Sequence, residues 1–426
     1  MIAGPDPLAS TSRKPRLLWA SVYCLLDTSS GASMSARQML LQLVQQGYEV
    51  SLVGATVFDH ERGTAGLTGQ WSQVQTNQGR LVALTDGPLE HRLYVTASTQ
   101  RGLMTSTEES AWFALYQRAL RQFRPDVVFY YGGKPLDWLI PAEARARGIP
   151  AVFYLANGNY SDTRWCRDVD LVLTNSQASA DLYGRTLGLR PVPVGTFIDP
   201  ARVVALQRTP RHVLFVNPTL EKGVVLVVRL AMLLEQRRPD IVFEVVESRG
   251  KWAEILRTVS GAIGSPRESL ANVVVTPNSA DMRPIYARAR LLLAPSLWWE
   301  SSGRVLVEAM LNGIPAIYTE QGGMPEVVQD GGVAFKLDAV FHQKPFTRVP
   351  TAELLEPLLQ RLEMLFDDEA LYNQLAARAR RVGQTRHSLQ VSTPRLLQAL
   401  QPLTALRAGD ADPATALRAC HKQGLE

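Results

Sequence analysis

Two glutamates eight residues apart, Glu300 and Glu308, lie in a run that ends at Gly313 and Pro315. Carboxylates accept hydrogen bonds from sugar hydroxyls. Ser301, Ser302 and Gly303 follow the first of them and precede a helical pattern. At such a point free backbone N–H groups and the helix dipole favour an anion such as a diphosphate. The chemistry suited to this run is therefore the holding of a polyhydroxylated, phosphorylated ligand. A second patch is Asn217-Pro218-Thr-Leu-Glu221-Lys222-Gly223. A lysine at a helix entry beside glycine can reach a phosphate, while the glycine lets the backbone approach.

The elements around these residues can be read from their spacing. Leu291 to Pro295 is an apolar run of strand length with a proline stop. Val305, Leu306, Ala309, Met310 and Leu311 recur at helical spacing. Glu300 is then expected in the strand-to-helix loop and Glu308 about two turns into the helix, both projecting toward one cavity. The spacing alone also describes a solvated pair on an amphipathic helix, and Lys222-Gly223 alone also describes an ordinary turn.

Strands and helices alternate along most of the chain. Strands are expected at Arg16–Ser21, Glu49–Gly54, Arg80–Leu84, His91–Val95, Asp126–Tyr131, Ala151–Leu155 and Leu171–Thr174, with helices at Ser33–Gln46, Glu108–Phe123 and 135–147. The Pro- and Gly-rich segment from Pro191 to Pro200 reads as a linker. A second alternating unit follows, with strands at Val213–Val216, Asp240–Val246, Asn272–Thr276 and Ala316–Tyr318. Its helices are expected at Val224–Gln236, 251–261, Met282–Ala289, Thr351–Leu365 and Glu369–Gly383. This pattern predicts an α/β fold with mostly parallel, doubly wound sheets. The chain of 426 residues is long enough for two such domains.

With both patches and the alternation in view, the Glu300–Glu308 segment resembles the E-x7-E signature of retaining GT-B glycosyltransferases, glycosyltransferase family 4. The turn Gly322-Gly323-Met-Pro-Glu326-Val resembles the same family's G-G-x-x-E-x-V motif. The resemblance implies two Rossmann-like doubly wound domains facing each other across a cleft. An acceptor-side domain would span 15–195 and a donor-side domain 196–385. Residues 386–426 would be C-terminal helices partly crossing back to the first domain, and residues 1–14 a loose terminus. Carried over, Glu300 contacts the transferred sugar, Glu308 the ribose hydroxyls, and the amides of Ser301, Ser302 and Gly303 the diphosphate.

Lys222 and Gly223 match the end of the family's G-R-x-x-x-x-K-G motif, whose Arg and Lys bind the donor diphosphate. Asn217-Pro218 stands where Gly-Arg is expected, so Lys222 carries over and the arginine does not. Arg249 and Arg304 are the candidates to replace its charge. The resemblance also implies a small-residue loop after the first strand that faces the cleft, here Asp27 to Ser33. Gly31, Ala32 and Ser33 would frame the acceptor and Asp27 would hydrogen-bond to it. An ordinary loop with Ser33 as helix N-cap is the alternative. Asn157 or Asn159 occupies the place where family members carry a histidine near the reacting centre, and neither can act as acid or base. Arg101 and Lys134 are either acceptor contacts or solvated charges, Trp298 and Trp299 could wall the sugar pocket, and Thr276 to Asp281 would contact the base.

Composition excludes several classes. The net charge of +5 is spread over mixed-sign helical patterns without a run of five cations, so no nucleic acid is expected. Cys24, Cys166 and Cys420 offer no CxxC spacing and point to a reducing compartment. No apolar stretch approaches a membrane span, and the first dozen residues lack a signal-peptide core. The expected protein is a cytoplasmic retaining enzyme, with peripheral membrane contact compatible with it. Its partners would be a nucleoside diphosphate-sugar donor and a hydroxyl acceptor on a lipid-linked glycan, a protein or a small molecule. No cofactor and no metal are implied, in line with the lack of a D-x-D motif at a strand end. A nucleotide-sugar epimerase or hydrolase on the same scaffold, and a non-catalytic GT-B-like sugar-binding protein, are the competing readings.

Overall fold

The computed structural model describes residues 13–67 and 69–405. The segment before Arg13, Cys420 and the tail from Gly409 lie outside the described residues. Two sheets carry the architecture. The first comprises β1 (Arg16–Ala20), β2 (Glu49–Ala55), β3 (Leu81–Asp86), β4 (Leu89–Tyr94), β5 (Val127–Tyr130), β6 (Ala151–Leu155), β7 (Leu171–Thr174) and β8 (Val192–Pro193). Their order is β3-β4-β2-β1-β5-β6-β7-β8, and every pairing is parallel except the β3–β4 hairpin. The second comprises β9 (His212–Val216), β10 (Phe243–Val246), β11 (Val273–Thr276), β12 (Ala289–Ala294), β13 (Ala316–Thr319) and β14 (Gly332–Phe335). These run in the order β11-β10-β9-β12-β13-β14, all parallel.

The central strands are covered on both faces, so they read as unbroken apolar runs rather than alternating ones. Leu17, Leu18, Trp19 and Ala20 of β1 and all four residues of β5 are buried in one core, which also takes Leu396, Leu400 and Leu403. Those three leucines lie on the last helix, Leu389–Ala405, which crosses from the second sheet to pack on the helix Gly31–Gln45. Thr393 seals this contact by donating to Gln42 Oε1 at 3.0 Å.

Strand order reverses beside β1 in the first sheet and beside β9 in the second. At such switch points the loops after neighbouring strands diverge and leave a crevice at the carboxyl ends. The loops after β1, β6, β9 and β12 meet across the cleft.

Some elements differ from the sequence reading. The helix Gln177–Leu187, capped by Ser176 and stopped by Gly188 in the left-handed region, was not expected. Its buried face is only Ser179, Ala180 and Tyr183, too little apolar surface to show a period. β8 has two residues, too short for a strand pattern, and β14 opens on a glycine with none of its four residues buried, so it shows no apolar run. The cap of the first helix is Ser30, whose side chain accepts from the Ser33 amide, and not Ser33. The helix after β12 runs Arg304–Asn312, so Glu308 sits little more than one turn in, and Glu300 to Ser302 are loop.

Candidate functional site

The loop from Pro295 to Gly303 is shaped by glycines on neighbouring turns. A Cβ on Gly223 would lie 1.9 Å from the Pro295 carbonyl, and one on Gly322 1.9 Å from the Glu300 carbonyl. Both glycines also have positive φ, so an alanine is excluded by conformation and by space. The Gly323 amide donates to the Glu300 carbonyl at 2.8 Å. The sequence motifs Lys-Gly and Gly-Gly thus act as a cradle that lets three backbone segments close around Glu300.

Glu300 is buried, and its Oε1 accepts from Ser296 Oγ at 2.7 Å, from Trp298 Nε1 at 2.9 Å and from the Lys222 ammonium. Lys222 also stands 5.3 Å from the Trp298 ring centroid, within cation–π range. Burial by itself would raise the Glu300 pKa, but the Lys222 charge and the three donors hold it below the usual carboxylate range. Glu308 is buried one helix turn on. Its Oε2 accepts from the Tyr286 hydroxyl at 2.5 Å, and its Oε1 pairs with Arg304 Nε at 2.8 Å. Burial and the neighbouring Glu308 raise the Tyr286 phenol well above its ordinary value, so it stays a neutral donor.

Two cavities adjoin these carboxylates. One of about 310 Å³ is lined by Lys222, Glu300, Trp298, Trp299, Ser301, Ser302, Gly303 and Arg304 from the second domain, with Ser29 to Ala32, Asp59 and Asn157 from the first. The other, about 280 Å³, is lined by Glu308, Arg304, Val305, Val246 and Asn278 to Ala280. Arg304 and Ser248 line both. Glu300 and Lys222 thus face one compartment and Glu308 the next, as the two ends of an extended ligand require. Val246 ends β10 and residues 278–280 follow β11, so the second compartment is walled by the segment expected to meet a base.

The remaining expected residues fall into two groups. Gly31, Ala32, Asn157, Asn217, Lys222 and Arg249 line the 310 Å³ cavity. Asn217 holds a positive φ of 66° and its Oδ1 accepts from the amides of Arg249 (2.9 Å) and Gly250 (3.4 Å), fixing the loop that carries Arg249. Gly223 supports the site through its backbone. By contrast, Ser33 is fully buried and shares a 2.8 Å hydrogen bond with the Tyr131 hydroxyl, so it frames no acceptor. Asp27 lines the 280 Å³ compartment and not the 310 Å³ one. It is 1% exposed, its Oδ1 accepts from the Ser29 amide (2.8 Å) and hydroxyl (2.6 Å), and its Oδ2 accepts from the Asp59 amide (2.7 Å). Its carboxylate pins two cleft loops together, and desolvation raises its pKa. Arg101 is no solvated charge either, being ion-paired to Glu109 at 2.7 Å with a side chain only 10% exposed.

Ser301 and Ser302 differ in part from expectation. Ser301 Oγ donates to the Ala156 carbonyl at 2.8 Å and accepts from Asn175 Nδ2 at 3.0 Å, its carbonyl accepts from Ser176 Oγ at 2.5 Å, and Ser302 Oγ meets Thr196 Oγ at 3.0 Å. The Ser301 side chain ties the domains and that of Ser302 holds the linker, while among the described residues their amides and that of Gly303 donate to no protein acceptor. Asp59 was missed by the sequence reading. It lies in no motif, and only the fold brings it across from Lys222 and Arg249.

Comparison with known proteins fits this geometry. Residues 210–343 match the family model for glycosyl transferases group 1. Over 137 residues the chain is 31% identical to a D-inositol 3-phosphate glycosyltransferase from Arthrobacter sp. (strain FB24), a match spanning 30% of this chain and 30% of that relative. The whole fold resembles HepE of Anabaena in complex with UDP and glucose, with a TM-score of 0.63, 16% identity, and coverage of 91% of this chain and 99% of that one. It also resembles sucrose-phosphate synthase of Thermosynechococcus elongatus, with a TM-score of 0.64, 14% identity, and coverage of 92% and 100%. The chain thus has the fold of these two glycosyltransferases, and its residues 210–343 are similar to glycosyl transferases group 1.

Proposed function

We propose that this chain is a retaining, metal-independent glycosyltransferase of family 4, moving a sugar from a nucleoside diphosphate to a hydroxyl acceptor in glycan, glycolipid or glycoconjugate biosynthesis. The observation that carries the reading is the pairing of Lys222 with Glu300 in one cleft compartment and the placement of Glu308 in the adjoining one. In this reading Glu300 holds the transferred sugar and Glu308 the ribose. Lys222, Arg249 and the amides of Ser301 to Gly303 take the diphosphate, and Arg304 orients Glu308. As the bond from the anomeric carbon to the diphosphate breaks, its electron pair stays on the diphosphate oxygen. Lys222 and the fixed amides stabilise that charge in a site partly closed to water. The acceptor hydroxyl enters past Gly31, Ala32 and Asn157 and attacks the anomeric carbon on the same face, its proton passing to the departing diphosphate oxygen. A cytoplasmic enzyme with peripheral membrane contact suits such an acceptor, and no described helix is long and apolar enough to cross a membrane.

HepE was solved with UDP-glucose as well as UDP, so UDP-glucose is the first donor to test, with GDP- and ADP-sugars beside it. The expected result is nucleoside diphosphate release that an acceptor extract accelerates, unchanged by EDTA, with the donor's anomeric configuration kept in the product. Interconverted sugars without a new glycoside identify an epimerase, and release indifferent to acceptor identifies a hydrolase. No binding or turnover of any nucleotide sugar overturns the reading in favour of a scaffold protein.

A further inference from the structure

The cleft is bridged above the donor compartment by a reciprocal pair of arginines. Arg249, on the loop after β10, donates through Nη2 to the Ser29 carbonyl at 3.2 Å and stands 3.7 Å from an Asp59 carboxylate oxygen. Arg62, on the opposite loop, donates to the Ser248 carbonyl. Each side has a buried or braced anchor. Asp27 holds the amides of both Ser29 and Asp59, and a Cβ on Gly63 would lie 2.0 Å from Asp27 Oδ1, so this loop cluster is tightly packed. Asn217 holds the amides of Arg249 and Gly250, and a Cβ on Gly250 would lie 1.9 Å from the Pro218 carbonyl.

The charges lining the 310 Å³ compartment are Asp59, Lys222, Arg249, Glu300 and Arg304. Lys222 is committed to Glu300 and Arg304 to Glu308, both in close contact. Arg249 has only the long, half-exposed pair with Asp59, which makes it the cation most easily drawn to a new anion. A diphosphate carries more charge than one carboxylate and offers several acceptor oxygens, so it outcompetes Asp59 for the guanidinium.

We propose that Asp59 tunes donor affinity by competing with the donor diphosphate for Arg249, which changes partner from carboxylate to phosphate when the donor binds. This rests on the reading of Arg249 as a diphosphate contact. Asp59 acts here as a positioning residue and touches no reacting atom.

The test is a two-by-two set of wild type, Asp59→Asn, Arg249→Gln and the double variant, with UDP, GDP and ADP titrated by calorimetry and uridine as a control without phosphates. For the nucleotide that binds, Asp59→Asn is expected to tighten binding roughly two- to fivefold, the range of a partly exposed ion pair. Arg249→Gln weakens it, and adding Asp59→Asn to Arg249→Gln changes nothing further. Uridine binding stays constant throughout. If Asp59→Asn weakens nucleotide binding, Asp59 holds Arg249 in its binding pose and the proposal fails. If it tightens binding equally in the Arg249→Gln background, plain charge repulsion is at work and the exchange is wrong. If Arg249→Gln leaves binding unchanged, Arg249 is no phosphate contact. Wild-type protein that binds none of the three nucleotides sinks the donor-site reading itself.

Discussion

Lys222 donates to the same oxygen of Glu300, Oε1, that accepts from Ser296 Oγ and Trp298 Nε1. A buried carboxylate with its donors gathered on one oxygen is fixed in orientation while the second oxygen stays out of that set. Such preorganisation suits a group that must meet a sugar hydroxyl without rearranging.

Replacing Lys222 by Met removes the cation paired with a buried glutamate. The stability cost is expected to be about 1–3 kcal/mol, less than for a fully enclosed pair because Lys222 keeps a solvent-facing side. Turnover should fall roughly 10²–10³-fold, as for loss of one stabilising donor to a leaving group. Adding Glu300→Gln should recover most of the stability and none of the activity. Thermal melts and kcat on wild type, Lys222→Met and the double variant separate the two effects, and a double variant that regains turnover contradicts the catalytic assignment.

Glu308 is held from two sides by Tyr286 and Arg304. Glu308→Gln keeps an acceptor for the phenol and is expected to raise the donor KM at least about tenfold with little loss of stability. Glu308→Ala also strands a buried hydroxyl, adding a stability cost of about 1–3 kcal/mol. Tyr286→Phe, which leaves the carboxylate in place but less well oriented, should raise KM only a few-fold. Donor KM that is unchanged in Glu308→Gln excludes ribose contact.

The fold was legible because strands buried on both faces must be apolar throughout, as Leu17 to Ala20 and Val127 to Tyr130 are. That Lys222 and Glu300 share one site followed from two motifs that each follow a strand at a switch point, whereas their direct pairing did not. What could not be read was which polar residues point inward. Asp27 and Ser33 sit among small residues in a loop that looks ligand-facing, yet both are spent pinning backbone or a buried tyrosine. Asp59 and the interdomain contacts of Ser301 depend on how two domains meet, and no local pattern encodes that. The two-turn estimate for Glu308 failed because Gly303 delays the helix start.

Asp137 gives a pH signature. It is fully buried at the start of the helix Pro135–Arg145, where its Oδ2 accepts from the Lys134 amide at 2.8 Å. Burial pushes its pKa up to about 6, against the lowering effect of that amide and of Arg101. An unfolded aspartate titrates near about 3.9. Between these values the folded state binds more protons, so stability is greatest below about pH 4 and falls as pH rises through about 6, by on the order of 2–3 kcal/mol. Asp137→Asn keeps the cap acceptor and cannot ionise. It is expected to melt higher than wild type at pH 8 and to lose that advantage at pH 4. Equal melting differences at both pH values rule out a buried carboxyl titration.

Glu326 links the domains beside the Glu300–Ser301 loop. Its two oxygens accept from the amides of Gln177 (2.9 Å) and Ala178 (3.0 Å), so a glutamate of the second domain caps the helix Gln177–Leu187 of the first. Ser176, the local cap, is meanwhile engaged with the Ser301 carbonyl. A carboxylate at a helix start satisfies unpaired N–H groups and faces the positive dipole end. Glu326→Ala should cost only about 0.5–2 kcal/mol of stability, the usual range for a lost cap. Its larger effect should be on geometry, because the same contact holds Ser301 against Asn175 and Ser176 beside Glu300. Small-angle scattering is expected to show a wider particle for Glu326→Ala, and donor KM should rise while Glu326→Gln stays close to wild type. A scattering profile identical to wild type, with raised KM, would place the effect in the donor loop itself and not in domain closure.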